Sequence, residues 1–132
     1  MEKLHVKTII EIAGLPKEHV EEVMNKVVDK TKENYEVIKF NIFEAKPMKQ
    51  LWSTFSEIEI KFNKLEDLIG FCFDYMPSSV EILNPEKFEF KNVEMTNVLN
   101  DLIARLHQFD RVIKSLTASN VNLKKELDKE KY

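Results

Sequence analysis

LHVKTIIEIAGLPKEHVEEVMNKVVDKTKEN, residues 4–34, carries two periodicities on either side of a break, and that switch decides the fold. Leu4, Val6, Thr8, Ile10 and Ile12 alternate with His5, Lys7 and Glu11, the period of two that a half-buried strand requires. Gly14 breaks the run. Pro16 then suits the first turn of a helix, where its missing N–H has no intrahelical acceptor to lose. Val20, Val23, Met24, Val27 and Val28 follow at helical spacing among Glu and Lys, and Asn34 closes the segment. A strand feeding an amphipathic helix is therefore expected at the head of the chain.

Downstream of this unit, Tyr35 to Ala45 reads as a second strand, with Ile38, Phe40 and Ile42 on one face and Lys39 and Asn41 on the other. Lys46-Pro47-Met48-Lys49 reads as a connection. A third strand turns Ile58, Ile60 and Phe62 inward and Glu57, Glu59 and Lys61 outward, and the short link predicts an antiparallel hairpin. Asn63 has the chemistry of an N-cap, with Glu66 three residues on to complete a capping box. Leu65, Leu68, Ile69, Cys72 and Met76 then mark a second helix that stops at Pro77. A last strand is expected over Val80 to Phe90, interrupted at Asn84-Pro85. The order β-α-β-β-α-β is that of the ferredoxin-like split β-α-β arrangement: an α+β domain with both helices on one face of a four-stranded antiparallel sheet. That superfold hosts many unrelated activities, so the order alone assigns none. The domain is expected over 1–92, with a separate long helix over 93–132.

After Asn92 the helical pattern continues to about Asp128 without glycine or proline. About 35 residues at 1.5 Å each make a helix of roughly 50 Å, longer than a small domain is wide. Met95, Leu99, Leu102, Leu106, Phe109, Ile113, Leu116, Asn120, Leu123 and Leu127 are spaced alternately four and three apart, the heptad period of a coiled-coil seam. With Leu99 at position a, the a set is Leu99, Leu106, Ile113, Asn120 and Leu127. The d set is Met95, Leu102, Phe109, Leu116 and Leu123. A single polar Asn120 at an a position sets register and favours two parallel strands, because two asparagines then meet across the axis; slipped or antiparallel pairing strands each against leucine. In that register Arg105 faces Asp110 of the other strand and Glu126 faces Lys131, both of opposite sign. Such exposed pairs choose orientation more than they add stability. Val98 and Ile103 widen the stripe in the first half, as for packing on a sheet or bundle, whereas beyond Ile113 it narrows to the seam. The competing reading is an amphipathic helix folded back along its own domain, which a narrow seam far from the core disfavours. The seam resembles a leucine zipper, but no basic region precedes it: Asn92 to Asp101 is acidic and polar.

Composition removes several function classes. With 20 Lys and Arg against 23 Asp and Glu, the net charge of −3 lacks the basic excess of a dedicated nucleic-acid binder. At 43% hydrophobic and 33% charged, the 132 residues suit one globular domain with a heavily solvated surface. The lone Cys72, between Phe71 and Phe73, permits no intrachain disulfide and reads as a packed thiol. Neither a signal-peptide core nor a transmembrane run is legible, so a cytoplasmic protein is expected.

Chemical sites are sparse. His5, His19 and His107 are far apart; His19 and Glu22 share a helical face, which solvation explains as well as metal binding. His107 falls at position b of the seam and should face solvent. Glu11, Glu57 and Glu59 can share a sheet face, balanced there by Lys7 and Lys61. Gly14 and Gly70 are isolated, so no phosphate cradle can form. No metal and no cofactor is expected. Phe43 and Phe55, with Lys46 and Lys49 nearby, suit the open face of the sheet, and Trp52 beside Ser53 and Thr54 is a candidate anchor. Trp52 and Phe55 are thus the candidate partner contacts. The reading is a non-enzymatic interaction or scaffold protein whose partner is itself, as a parallel homodimer through the C-terminal helix, or another protein. The alternatives are a small-molecule-binding regulatory domain with a ligand site between subunits and, more remotely, an RNA-associated protein. A membrane partner is not expected.

Overall fold

The computed structural model describes residues 3–131. Its elements are β1 (Leu4–Gly14), α1 (Lys17–Asn34), β2 (Glu36–Ile42), β3 (Lys46–Met48), β4 (Leu51–Phe62), α2 (Leu65–Tyr75), β5 (Ser79–Asn84) and α3 (Asn92–Lys131). The protein is a mixed α+β chain with an antiparallel sheet of five strands, in the order β2-β4-β1-β5 with β3 also on β4. The chain divides between Glu89 and Phe90 into two compact units.

The period of two in β1 becomes a register. All 11 residues of β1 pair with β4, from Leu4 opposite Phe62 to Gly14 opposite Trp52. Even-numbered residues of both strands point to one face and odd-numbered ones to the other. On the even face Leu4, Val6, Ile10, Ile58, Ile60 and Phe62 are buried against Met24 and Val28 of α1 and Leu68 and Phe71 of α2. Both helices therefore cover the same side. Thr8, Thr54 and Ser56 are fully buried polar members of that face, and the Thr8 hydroxyl donates to the Ile58 carbonyl at 3.0 Å. Where α1 ends, Tyr35 meets Phe71 edge-on at 5.4 Å and Phe62 at 5.6 Å, and Phe71 stacks on Tyr75 at 4.9 Å. This aromatic cluster ties the end of α1, the end of β4 and α2 together.

Four sequence expectations are corrected. The sheet has five strands rather than four, because Lys46–Met48, read as a connection, pairs with Leu51–Ser53 of β4. Three residues are too few for an alternation to be visible, and Pro47 belongs at an edge, where no N–H is required. The last strand ends at Asn84 instead of Phe90. Lys64, not Asn63, precedes α2, and no side chain caps it. β4 keeps its extended backbone to Phe62, so the helix starts too late for Asn63 to reach its first N–H groups. Pro16 stands just before α1 and accepts the amides of His19 and Val20 through its carbonyl.

α2 closes at Met76, in the left-handed region at φ 46° and 75% exposed, ahead of Pro77. A side chain there is strained by its Cβ, and this one packs on almost nothing. Met76→Gly is thus expected to stabilise the protein by about 1 kcal/mol. Phe71→Ala, which empties the centre of the aromatic cluster, should cost about 3–5 kcal/mol. Urea unfolding midpoints of the two variants check both signs.

Candidate functional site

α3 is one uninterrupted helix of 40 residues, roughly 60 Å long. All the seam positions lie within it. Leu99, Leu106, Ile113, Leu116, Leu123 and Leu127 are between 48% and 61% exposed; Leu102 is half-buried, Asn120 exposed, and Phe109 lies on the same stripe. His107 faces solvent. Arg105 pairs with Asp101 at 3.2 Å and Lys114 with Asp110 at 2.8 Å, both within the helix. Arg105 and Asp110, expected to meet across two strands, thus each hold a partner one turn away in the single chain. The side chain of Lys131, the expected partner of Glu126, lies outside the described residues.

The odd face of the sheet is built from the same register as the core. Around His5 and Lys7 it is charged and internally paired: Lys7 lies 3.4 Å from Glu57, while Lys39 and His5 lie 3.4 and 3.7 Å from Glu59. Glu11, Glu57 and Glu59 do share this face, with lysines beside Glu57 and Glu59 and the Ser53 hydroxyl donating to Glu11. Further along it turns apolar. A groove of about 700 Å³ lies among Ile9, Phe43, Met48 and Phe55, with Ser53, Glu57 and Ser78 at its margins. Its walls come from β1, the β2–β3 link, β3, β4 and the α2–β5 link. Ser78 is fixed there by its amide and hydroxyl, which donate to the Ile9 carbonyl at 2.7 and 3.1 Å. The Thr54 hydroxyl donates to the Phe43 carbonyl, and the Phe43 amide to the Phe55 carbonyl, holding the Phe43 backbone against β4.

Trp52 and Phe55 are not brought together. Three positions apart on one strand, they point to opposite faces. Phe55, 42% exposed, lines the groove. Trp52 is half-buried on the helix side, with the Lys17 ammonium 5.3 Å from its ring centroid. Lys17 also donates to Glu44 at 3.0 Å. That hydrogen bond and charge hold the Glu44 carboxyl below its ordinary value of 4.5, with a smaller effect from Lys46, and raise the Lys17 ammonium in turn. Burial pushes the Cys72 thiol up, as for a packed and unreactive group.

Sequence reasoning placed Phe43, Phe55 and Lys46 near one another but missed Ile9, Met48 and Ser78. The available signal was Pro47-Met48, whose strand character a three-residue element hides. Among the described residues no cluster of three or more His, Cys, Asp or Glu is placed to hold a metal. No helix among them is long and apolar enough to cross a membrane.

These features define a two-part α+β protein, an antiparallel sheet domain continued by a long helix. The chain belongs to the MJ0538 family, whose model matches residues 5–132 and so takes in both parts. No curated protein and no solved structure matches it.

Lys17→Met removes the donor that holds Glu44 ionised. The Glu44 titration, followed by carboxyl carbon NMR, should move up toward its ordinary range in the variant. In the parent protein the pair's contribution is present above the ordinary carboxylate range and fades as pH falls through the lowered Glu44 value. An unchanged Glu44 titration would assign the shift to another group.

Proposed function

We propose that this protein is a non-enzymatic interaction or scaffold protein that works as a parallel homodimer, zipped through the distal half of α3. The observation that carries the proposal is the uninterrupted heptad run with its single a-position Asn120, on a helix whose large apolar side chains stand exposed. Each leucine withdrawn from water contributes about 25 cal/mol for every Å² of apolar surface covered. A second copy supplies a matching stripe along the whole length. On a straight helix this stripe drifts by about 20° per heptad, so lasting contact requires two strands to coil left-handedly about each other. The intrahelical pairs of Arg105 and Asp110 exchange for interhelical ones at little net cost, since exposed ion pairs are weak.

The order β2-β4-β1-β5, antiparallel neighbours and two helices on one face support reading the sheet domain as a ferredoxin-like split β-α-β arrangement, with β3 as an added edge strand. Cytoplasmic residence belongs to the same proposal, and a lone packed thiol on α2 suits a reducing compartment.

Asn120→Leu replaces the paired amides at the axis by apolar contact. The variant should melt higher and populate species beyond the dimer, read by circular dichroism melting and sedimentation equilibrium. If assembly state and melting stay as they were, the seam does not lie where it is placed.

A further inference from the structure

The homodimer leaves the sheet groove without a role, and the groove's own chemistry identifies an occupant. We propose that it binds an amphipathic carboxylate, with an apolar body over Ile9, Phe43, Met48 and Phe55 and the carboxylate at Lys46. The inference stands on the sheet domain alone and does not depend on α3.

Size and lining come first. About 700 Å³ lies within the range of small-molecule sites, and apolar side chains with a few polar groups at the margin are the usual composition of such sites. The groove also has a chemical boundary. Along the same face toward His5 the odd positions become an ion-paired network, so the apolar strip does not continue into a broad sheet-packing surface.

The charge balance then selects the ligand. Three carboxylates stand at or beside the groove, and each is already held: Glu44 by Lys17 at 3.0 Å, Glu57 by Lys7 at 3.4 Å, and Glu11 by the Ser53 hydroxyl at 3.0 Å. A cationic ligand would have to displace a lysine from either carboxylate that lines the groove, Glu44 or Glu57. Lys46 also lines the groove; it is exposed, and among the described residues its side chain makes no hydrogen bond or close ion pair, its charge acting on Glu44 only weakly. An anion at Lys46 therefore gains a partner without breaking a pair, while the aromatic walls require the remainder of the ligand to be apolar.

The test is calorimetric titration of the full chain with decanoate, decanol and decylamine, each below its aggregation concentration. Decanoate should bind one per chain and more tightly than decylamine. Lys46→Gln should weaken decanoate about three- to fivefold and leave decanol unchanged. Phe55→Ser, at a position 42% exposed, should weaken both decanoate and decanol. Absence of binding by decanoate, tighter binding of decylamine, or an unaltered decanoate affinity in Lys46→Gln overturns the proposal. So does a dimer that persists after removal of the distal helix and is lost in Phe55→Ser, since a second copy would then occupy the groove.

Discussion

The pairing of β1 with β4 is the constraint on which the rest of the domain depends. Its register runs unbroken from Leu4 opposite Phe62 to Gly14 opposite Trp52, and side chains alternate strictly across it. A slip of one residue would turn Leu4, Val6 and Ile10 outward and drive Lys7 and Glu11 under the helices. Thr8 reinforces the pairing from within, because its buried hydroxyl spans to the strand residue directly opposite. The even face then gives α1 and α2 a largely apolar surface to cover.

The same register makes the other face. Ile9, Phe55 and Glu57 occupy it only because Ile10, Ser56 and Ile58 occupy the core side. The two faces differ in kind: one is closed by helices around an aromatic cluster, whereas the other grades from paired charges into an apolar groove. β3 supplies one wall of that groove through Met48, and Ser78 fixes another by its two bonds to the Ile9 carbonyl. A core constraint and a candidate binding surface thus arise from one set of backbone hydrogen bonds.

What was legible in the sequence follows from how local each signal is. Alternation in β1 and β4, helical spacing in α1, and heptads in α3 are properties of contiguous residues, and each element lies where its period predicts. β3 was illegible because three residues hold no period, and Pro47 with Lys46 resembles a loop. At Asn63 the cap chemistry was present, but continued pairing of β4 to Phe62 outweighed it and delayed the helix to Leu65. Asn84-Pro85 marks the end of β5 rather than an interruption within it. Trp52 and Phe55 were grouped by proximity in sequence, while strand geometry sends them to opposite faces. The groove could be anticipated only in part, through Phe43, Phe55 and Lys46, since its other walls come from segments far apart in the chain.

The long helix poses a different physical problem. Its apolar stripe is as clear in the sequence as any strand, yet a stripe states that something covers it and not what. Asn120 narrows the choice, because a polar group at the axis is tolerated best opposite its own copy. The most direct measurement is mass in solution by light scattering, on the full chain and on a chain ending at Lys114. The account predicts twice the chain mass for the first and a single chain mass for the second. A single chain mass in both, or a dimer that survives the truncation, would contradict pairing through the distal helix.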